Sequence, residues 1–451
     1  MLVVAQQRHK PDWAKPLSEC VSFATVVLSR CPAWDIGAAQ LNFDIRKRSL
    51  MNTSGRSQAP GGIPRLRPQS IALLSYGFRP FFLAAALWAA IAMVLWIGLL
   101  SAWWSFATGY GLIAWHAHEF LFGYIGAVMT GFLLTAIPNW TGRFPLQGGP
   151  VLGLLMLWLA GRAAMLVTDE IGTGAAAIID CAYLVALTAV IWREIVAGSN
   201  WRNLRVAVLV GLTAVANIMF QFEVVIYGAP NYGLRLAVAA IVALITVVGG
   251  RITPSFTSNW LTRQGSEKRP TPLGRFDIAS IAVAASALIA WVVKPDWDGT
   301  AALLFLMAIA QAARLARWAG EQTWREPILF VLHVGYAFVP LGAFLLALSI
   351  LWLEIVPPSG ALHAWTTGAM GLMTLAIMTR ATLGHTGRDV LSTPATTAIF
   401  GAMLVAALAR IVAPFVPAIY FGALLVAGAA WLVAFGVFLL VYGPMLVRAR
   451  L

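Results

Sequence analysis

The sequence is dominated by uninterrupted apolar runs, for example over residues 80–100, 327–352 and 417–445. A helix needs about 20 such residues to cross the hydrocarbon core of a bilayer. Lipid admits only helices and closed barrels, because every backbone polar group must be paired internally. These runs are continuous, without the alternation of barrel strands, and charged residues make up only 11% of the chain. The pattern therefore predicts an all-α, polytopic membrane protein.

The apolar runs resolve into twelve predicted transmembrane helices. The third, sixth and seventh are the weakest of them. The predicted spans are residues 80–100, 114–138, 150–168, 171–192, 205–227, 232–250, 277–293, 300–317, 327–352, 361–380, 393–411 and 417–445.

The loops between these spans alternate in charge, which orients the chain. One set of loops and ends holds sixteen Lys and Arg residues, whereas the other set holds only Arg235, Lys294 and Arg410. Basic loops stay in the cytoplasm, so both termini are predicted to be cytoplasmic. Topology and a basic tail explain the net charge of +13 without a nucleic-acid partner.

Residues 1–70 differ from the rest of the chain because they are basic and contain no run long enough to span a membrane. Low hydrophobicity together with high charge is typical of disorder. We expect a disordered, basic, cytoplasmic N-terminal tail over 1–70, and the twelve-helix transmembrane domain over 71–451.

Similar sequences occur at the C-terminal ends of three of the predicted spans. They are NWTGR at 139–143, GRITPSFTSNW at 250–260 and TRATLGHTGR at 379–388, at the ends of spans 2, 6 and 10. Two explanations stay open at this point. Either the domain contains three pseudo-repeated four-helix units, or the ends of these helices resemble one another by chance.

Ionisable side chains within the spans concentrate at one depth. The stretch WHAHEFLFGY at 115–124 contains His116, His118 and Glu119, and the alternating topology places His363 and Glu223 near the same outer surface. A charge at the bilayer centre costs about 2.5–3.5 kcal/mol on insertion scales, so such residues usually have a function. The alternative is that these are interfacial side chains that reach for water.

The two neighbouring histidines cannot act together on a regular helix. Residues two apart point about 200° apart at ~3.6 residues per turn, so His116 and His118 would serve separate sites unless the first turn unwinds. Glu119, three residues after His116, could hold the free ring nitrogen of His116 or act as a ligand itself. Glu223 is a further candidate for either role.

Small residues predict room for a flat cofactor beside one of these histidines. Gly123, Gly126, Ala127 and Thr130 follow His116 on its face of the helix, and Gly368 and Gly371 follow His363. Small stripes usually let helices approach closely. They would also admit a haem, whose iron takes an axial ligand on each side, and His116 and His363 are the candidate pair. The other histidine of the 116/118 pair could then bind copper, which imidazole also suits.

Several motifs resemble the NnrS family in the same order. They are SYGFRPFF at 75–82, WHAHE at 115–119, GFLLTAIPNWTGR at 131–143, GRITPSFTSNW at 250–260 and HAWTTGAMGLMTLAIMTRATLGHTGR at 363–388. The resemblance implies a twelve-span protein of the bacterial inner membrane that contains haem, expected to be b-type, and copper. It also implies a role in nitric oxide metabolism or in resistance to nitrosative stress. From the residues themselves, His116, His118 and His363 are the predicted metal ligands.

Three functions stay open from the sequence. The first is a redox protein with haem near the periplasmic side, which would act on nitric oxide or a derived species together with a redox partner. The second is a small-solute or metal transporter without a redox cofactor, in which Arg162, Asp180 and Glu223 line a path. The third is a metal-binding sensor or resistance protein that acts through a partner.

Overall fold

The computed structural model describes residues 71–103 and 109–450, and every regular element in these two ranges is helical. The N-terminal tail predicted over 1–70 lies outside the described residues. The predicted all-α membrane fold is confirmed, because the described chain contains twelve helices long and apolar enough to cross a bilayer.

The twelve spans follow one another with short connections, and their bounds lie close to the predicted ones. They are α1 (Phe78–Leu100), α2 (Leu112–Thr141), α3 (Gly149–Leu166), α4 (Thr173–Ala197), α5 (Trp201–Tyr227), α6 (Tyr232–Arg263), α7 (Arg275–Val293), α8 (Asp298–Ala316), α9 (Pro327–Leu351), α10 (Pro358–His385), α11 (Pro394–Phe415) and α12 (Pro417–Val447).

Helix α6 departs most from the prediction, because it continues to Arg263 where the apolar run suggested an end near 250. The extension is polar on average, so hydropathy alone does not reveal it. Its buried side chains are Gly250, Thr253, Thr257 and Leu261, spaced three or four residues apart. This spacing is that of one helical face. The extension is therefore held by packing of a narrow stripe against the protein, and the loop before α7 is correspondingly short.

Three helices form the interior of the bundle. The apolar windows of α2, α6 and α10 are 83%, 61% and 67% buried, whereas those of the other nine spans are between 33% and 56% buried. These three helices are four positions apart in the chain, so one helix of each predicted four-helix unit lies inside.

The same three helices each contain a π-helical segment, namely Glu119–Tyr124 in α2, Ile245–Gly249 in α6 and Ala364–Gly371 in α10. A π-helical turn is wider than an α-helical turn and shifts the register of the residues that follow, and such segments occur frequently at functional sites. Their recurrence at every fourth helix favours three repeated units over chance. Two of the three begin directly after a histidine, His118 or His363.

Candidate functional site

A cavity of about 330 Å³ lies where the inner helices meet α1, α11 and α12. Its lining comes from the end of α1, the beginnings of α2, α6, α10 and α12, and the last helical turn of α11. In a chain that crosses the membrane alternately, these are all ends on one side. The wall is mostly aliphatic and aromatic, and the polar side chains in it are few: His116, Tyr124, Ser359, His363, Thr366, Thr367, Arg410 and Tyr420.

His116 enters this cavity from α2 and is held by aromatic rings. Its imidazole stacks on the indole of Trp96 with ring centroids 4.0 Å apart, and the ring of Phe120 lies 4.7 Å away on the next turn. The Nδ1 atom of His116 is buried and has no hydrogen-bond partner among the described residues. Buried polar atoms are nearly always paired, so an unpartnered nitrogen on a ring that lines a cavity makes His116 a candidate for binding an additional group.

His363 reaches the same cavity from α10. Its Nδ1–H donates to the carbonyl oxygen of Ser359, one turn earlier, at 2.7 Å. A hydrogen bond of this kind fixes the tautomer, so that Nε2 carries the lone pair. No described residue makes a hydrogen bond to that Nε2. The two histidines that the sequence proposed as a pair therefore line one cavity, and each has a ring nitrogen without a partner in the described chain.

His118 lies on the other side of α2, in a buried set of polar side chains. Its Nδ1 is 2.9 Å from Glu119 Oε1, and its Nε2 is 3.0 Å from Asp180 Oδ2. The amide groups of Asn217 and Gln221 donate to the same Asp180 oxygen at 2.8 and 2.9 Å. We refer to His118, Glu119, Arg162, Asp180, Asn217 and Gln221 as the His118 cluster.

Arg162 of α3 supplies the positive charge of the His118 cluster. One of its terminal nitrogens is 2.5 Å from Glu119 Oε2, and the other pairs with Asp180. The side chains of His118, Glu119, Arg162 and Asp180 are all at most 4% exposed. Burial of two carboxylates is costly unless cations and hydrogen bonds compensate, and here both are present. The cluster ties α2, α3, α4 and α5 together.

The structure places Glu119 differently from the expectation that it would support His116. Its carboxylate contacts His118 and Arg162 instead. The expectation assumed a regular helix, in which residues three apart share a face. The backbone up to Glu119 is regular, because its N–H still bonds to the carbonyls of Trp115 and His116. The carboxylate turns away from His116 because the buried guanidinium of Arg162 lies on the other side of α2.

Glu223 caps a helix and is not among the residues that line the cavity. Its carboxylate accepts hydrogen bonds from the backbone N–H groups of Asn231, Tyr232 and Gly233 at 2.6, 2.9 and 3.0 Å. These amides open α6, where N–H groups lack partners within the helix. Capping by a carboxylate also places a negative charge at the positive end of the helix dipole. This role accounts for the burial of Glu223 at its depth.

The small residues predicted to make room for a cofactor pack against other helices instead. A Cβ atom at Gly123 would lie 2.7 Å from Arg162 Nη1, and one at Gly368 would lie 2.3 Å from the ring of Phe338. Thr130 hydrogen-bonds to Tyr183 of α4. The prediction of a small-residue floor beneath His116 and His363 is therefore wrong. Larger residues, namely Phe120, Tyr124 and Met370, face the cavity instead.

Sequence reasoning missed two contributors to the cavity. Trp96 belongs to α1 and looks like an ordinary interfacial tryptophan. Arg410 was counted only as a charge of an outer loop, yet it lies in the last helical turn of α11 and lines the cavity. A lone arginine at the end of an apolar helix is itself a signal, because intramembrane charges are rare and functional.

No group of three or more His, Cys, Asp or Glu side chains lies close enough to hold a metal ion within residues 71–103 and 109–450. The two cavity histidines are only a pair and do not make up such a group. A haem brings four nitrogen ligands of its own, so the protein needs to supply only the axial ones.

Comparison with known proteins identifies the family. The model of the NnrS protein family matches residues 72–450, which is nearly the whole chain and all twelve spans. Among curated proteins, none matches the chain. The chain therefore belongs to the NnrS family, and it is a multi-pass membrane protein of this nitric oxide response family.

Proposed function

We propose that the cavity binds a b-type haem, which His116 and His363 would hold, and that the protein serves nitric oxide metabolism or resistance to nitrosative stress. One observation carries the proposal. Two imidazoles from different inner helices line a single apolar cavity, and each has a ring nitrogen that no described residue uses.

The cavity has the volume of an ordinary ligand site and a lining whose chemistry suits such a group. Its volume of about 330 Å³ falls within the range of about 300–1,000 Å³ that is usual for ligand sites. Its walls are apolar, with Trp96, Phe120 and Trp431 among them, which suits the flat face of a macrocycle. The mixture of apolar wall and few polar groups is also typical of cofactor sites.

A bound haem would supply an iron centre able to exchange electrons, and the side chains of this chain would set its surroundings. The hydrogen bond from His363 to the carbonyl of Ser359 fixes the ring and increases the basicity of its other nitrogen. Trp96 stacks on His116 and restricts the rotation of that ring. The apolar wall excludes water, which is one of the means by which proteins tune such a centre. Nitric oxide is small and neutral, so a site within the membrane is accessible to it.

Copper, which the family resemblance implies, does not fit the described residues in their present arrangement. Both ring nitrogens of His118 are within hydrogen-bond distance of carboxylate oxygens. To bind a metal, the ring would have to exchange one of these partners for the ion. His118 as a copper ligand therefore stays a prediction, and we assign no chemistry to copper here.

The transporter alternative has less support. Of the three residues expected to line its path, Arg162 and Asp180 pair with each other inside the His118 cluster, and Glu223 caps α6. A transport path needs groups that are open to a solute, whereas these side chains are buried and occupied by one another.

We also propose that the cavity faces the periplasm in a bacterial inner membrane. The sixteen-to-three distribution of Lys and Arg supports a cytoplasmic location of both termini. The cavity then lies at the opposite end of the bundle, since it is lined by the ends of odd-numbered spans and the beginnings of even-numbered ones.

The test is the optical spectrum and haem content of the detergent-purified protein and its variants. The wild-type protein should show the Soret band of a six-coordinate haem. His116→Ala and His363→Ala should each abolish the bis-histidine spectrum and lower the bound haem. His385→Ala is the matched control, because His385 ends α10 on the other side of the membrane and does not line the cavity. Haem content and spectrum that are equal in all four proteins would contradict the proposal.

A further inference from the structure

We infer that Arg410 binds a carboxylate of the cavity's occupant, which in the proposed function is a propionate group of the haem. The inference rests on the proposed function and deepens it, because it assigns the polar edge of the cofactor to a particular side chain.

Arg410 is the one formally charged side chain among the described residues that line the cavity. Its Nη1 is buried, with no hydrogen-bond partner in the described chain. No described carboxylate forms an ion pair with it either. Among the described residues, the cavity therefore contains a guanidinium group and no protein anion to match it.

Other buried arginines of this protein show what a structural role looks like. Arg79 donates from Nη1 to the carbonyls of residues 446 and 448, at the end of α12. Arg162 pairs with two carboxylates, and Arg314 donates to Asp277 and to the carbonyl of Thr246 in the π-helical segment of α6. Each holds helices together through its terminal nitrogens. Within residues 71–103 and 109–450 Arg410 has no such set of acceptors, so the helix packing described there does not explain it.

A buried guanidinium without an anion is unfavourable because the charge has lost its hydration. Its planar fork of N–H groups matches a carboxylate, which can accept two parallel hydrogen bonds. Haem offers two carboxylates on one edge of an otherwise apolar ring. Arg410 shares the cavity with both histidines, near its outer rim, where Ser359 and Tyr420 also lie. One cation therefore lies beside the apolar part of the cavity, which is the arrangement that recognition of a haem requires.

The experiment uses apoprotein in detergent and two probes, haemin and haemin dimethyl ester, in which both propionates are blocked. Wild-type protein should bind haemin about tenfold to a hundredfold more tightly than the ester, since hydrogen bonds to charged groups have this strength. Arg410→Gln should bind haemin more weakly by the same factor and should bind the ester as the wild type does. Arg410→Lys should retain part of the preference. Arg235→Gln, at the same membrane side but with its side chain on the carbonyl of Val292, should behave as the wild type.

The possible outcomes separate the two proposals. If the wild-type apoprotein binds neither probe, the proposed haem site is wrong and this inference is wrong with it. If it binds both probes equally and Arg410→Gln changes nothing, the haem site stands and the role of Arg410 is overturned. Equal loss of both probes in Arg410→Gln would also overturn it, because that result indicates a structural role. Added nitrite that restores a stable complex in the ester sample would indicate a small anion as the partner instead of the propionate.

Discussion

The two histidines of helix α2 lie on different sides of the helix and have opposite surroundings. His116 faces a cavity with apolar walls, and its buried Nδ1 has no partner in the described chain. His118, two residues later, has both nitrogens within hydrogen-bond distance of carboxylates. The residues are of the same type and come from the same turn of helix, so only their surroundings distinguish them.

This difference shows how a buried polar residue can be assigned to structure or to ligand binding. A structural residue has its charge matched within its own protein, as the carboxylates of the His118 cluster are matched by Arg162, and removal of one member leaves the others unpaired. A ligand-binding residue retains capacity that the protein does not use. By this criterion the cavity, with His116, His363 and Arg410, is the proposed binding site, and the His118 cluster belongs to the framework around it.

The largest expected effect comes from removing the cation of the His118 cluster. Arg162→Met leaves Glu119 and Asp180 buried without their guanidinium partner. Breaking a buried pair in this way costs about 3–5 kcal/mol, so we expect the free energy of unfolding of the detergent-solubilised apoprotein to fall by that amount.

The matched control is Arg143→Met. Arg143 forms an ion pair with Glu194, and its side chain is 44% exposed. Pairs this exposed contribute about 0–1 kcal/mol. If the two variants lost equal stability, the His118 cluster would not be the framework described here. Replacement of Arg162, Glu119 and Asp180 together by neutral residues of similar size should restore part of the loss, because no unpaired charge is then left.

The second prediction compares a histidine expected to stabilise the fold, His118, with one expected to bind the ligand, His363. His118→Ala should lower the unfolding free energy of the apoprotein by about 1–3 kcal/mol, because buried partners lose their hydrogen bonds. His363→Ala should change it by less than about 1 kcal/mol, as is usual away from a satisfied network. Haem content should fall more in His363→Ala than in His118→Ala, relative to the stability that each variant loses. A large loss of apoprotein stability in His363→Ala would place that histidine in the framework and contradict the comparison.

Much of the fold followed from the sequence because transmembrane helices are encoded locally. The length of each apolar run predicted twelve spans, and all of them are confirmed. Hydropathy does not distinguish a helix surrounded by lipid from one surrounded by protein, so the inner position of α2, α6 and α10 was not predicted. The extension of α6 beyond 250 was missed for the related reason that its buried stripe is narrow and partly polar.

The candidate site followed less completely, because it depends on tertiary packing and on helix register. Topology placed His116 and His363 at one depth, but only the packing of the inner helices places them in one cavity. The face assigned to Gly123 assumed 3.6 residues per turn, and the π-helical segments change that register. No local sequence signal marked these segments. Arg410 was visible in the sequence, but its unpartnered nitrogen is a property of the folded chain.

The smallest expected effect concerns Glu223. Its charge caps a helix, whereas the charge of Arg410 lies in the cavity. Glu223→Gln keeps the shape of the side chain but removes its negative charge from three backbone N–H groups. Loss of a helix cap costs about 0.5–2 kcal/mol, and hydrogen exchange of the amides of residues 231–233 should become faster. Haem binding should not change, since Glu223 does not line the cavity.

The control for this capping prediction is Glu354→Gln, at an exposed position in the loop between α9 and α10. It should alter neither stability nor exchange near α6. If Glu223→Gln left the exchange of residues 231–233 unchanged but altered the uptake of a solute, the carboxylate would belong to a transport path. The three amide contacts would then be incidental. Hydrogen bonds within the protein would no longer distinguish structural residues from ligand-binding residues in this molecule.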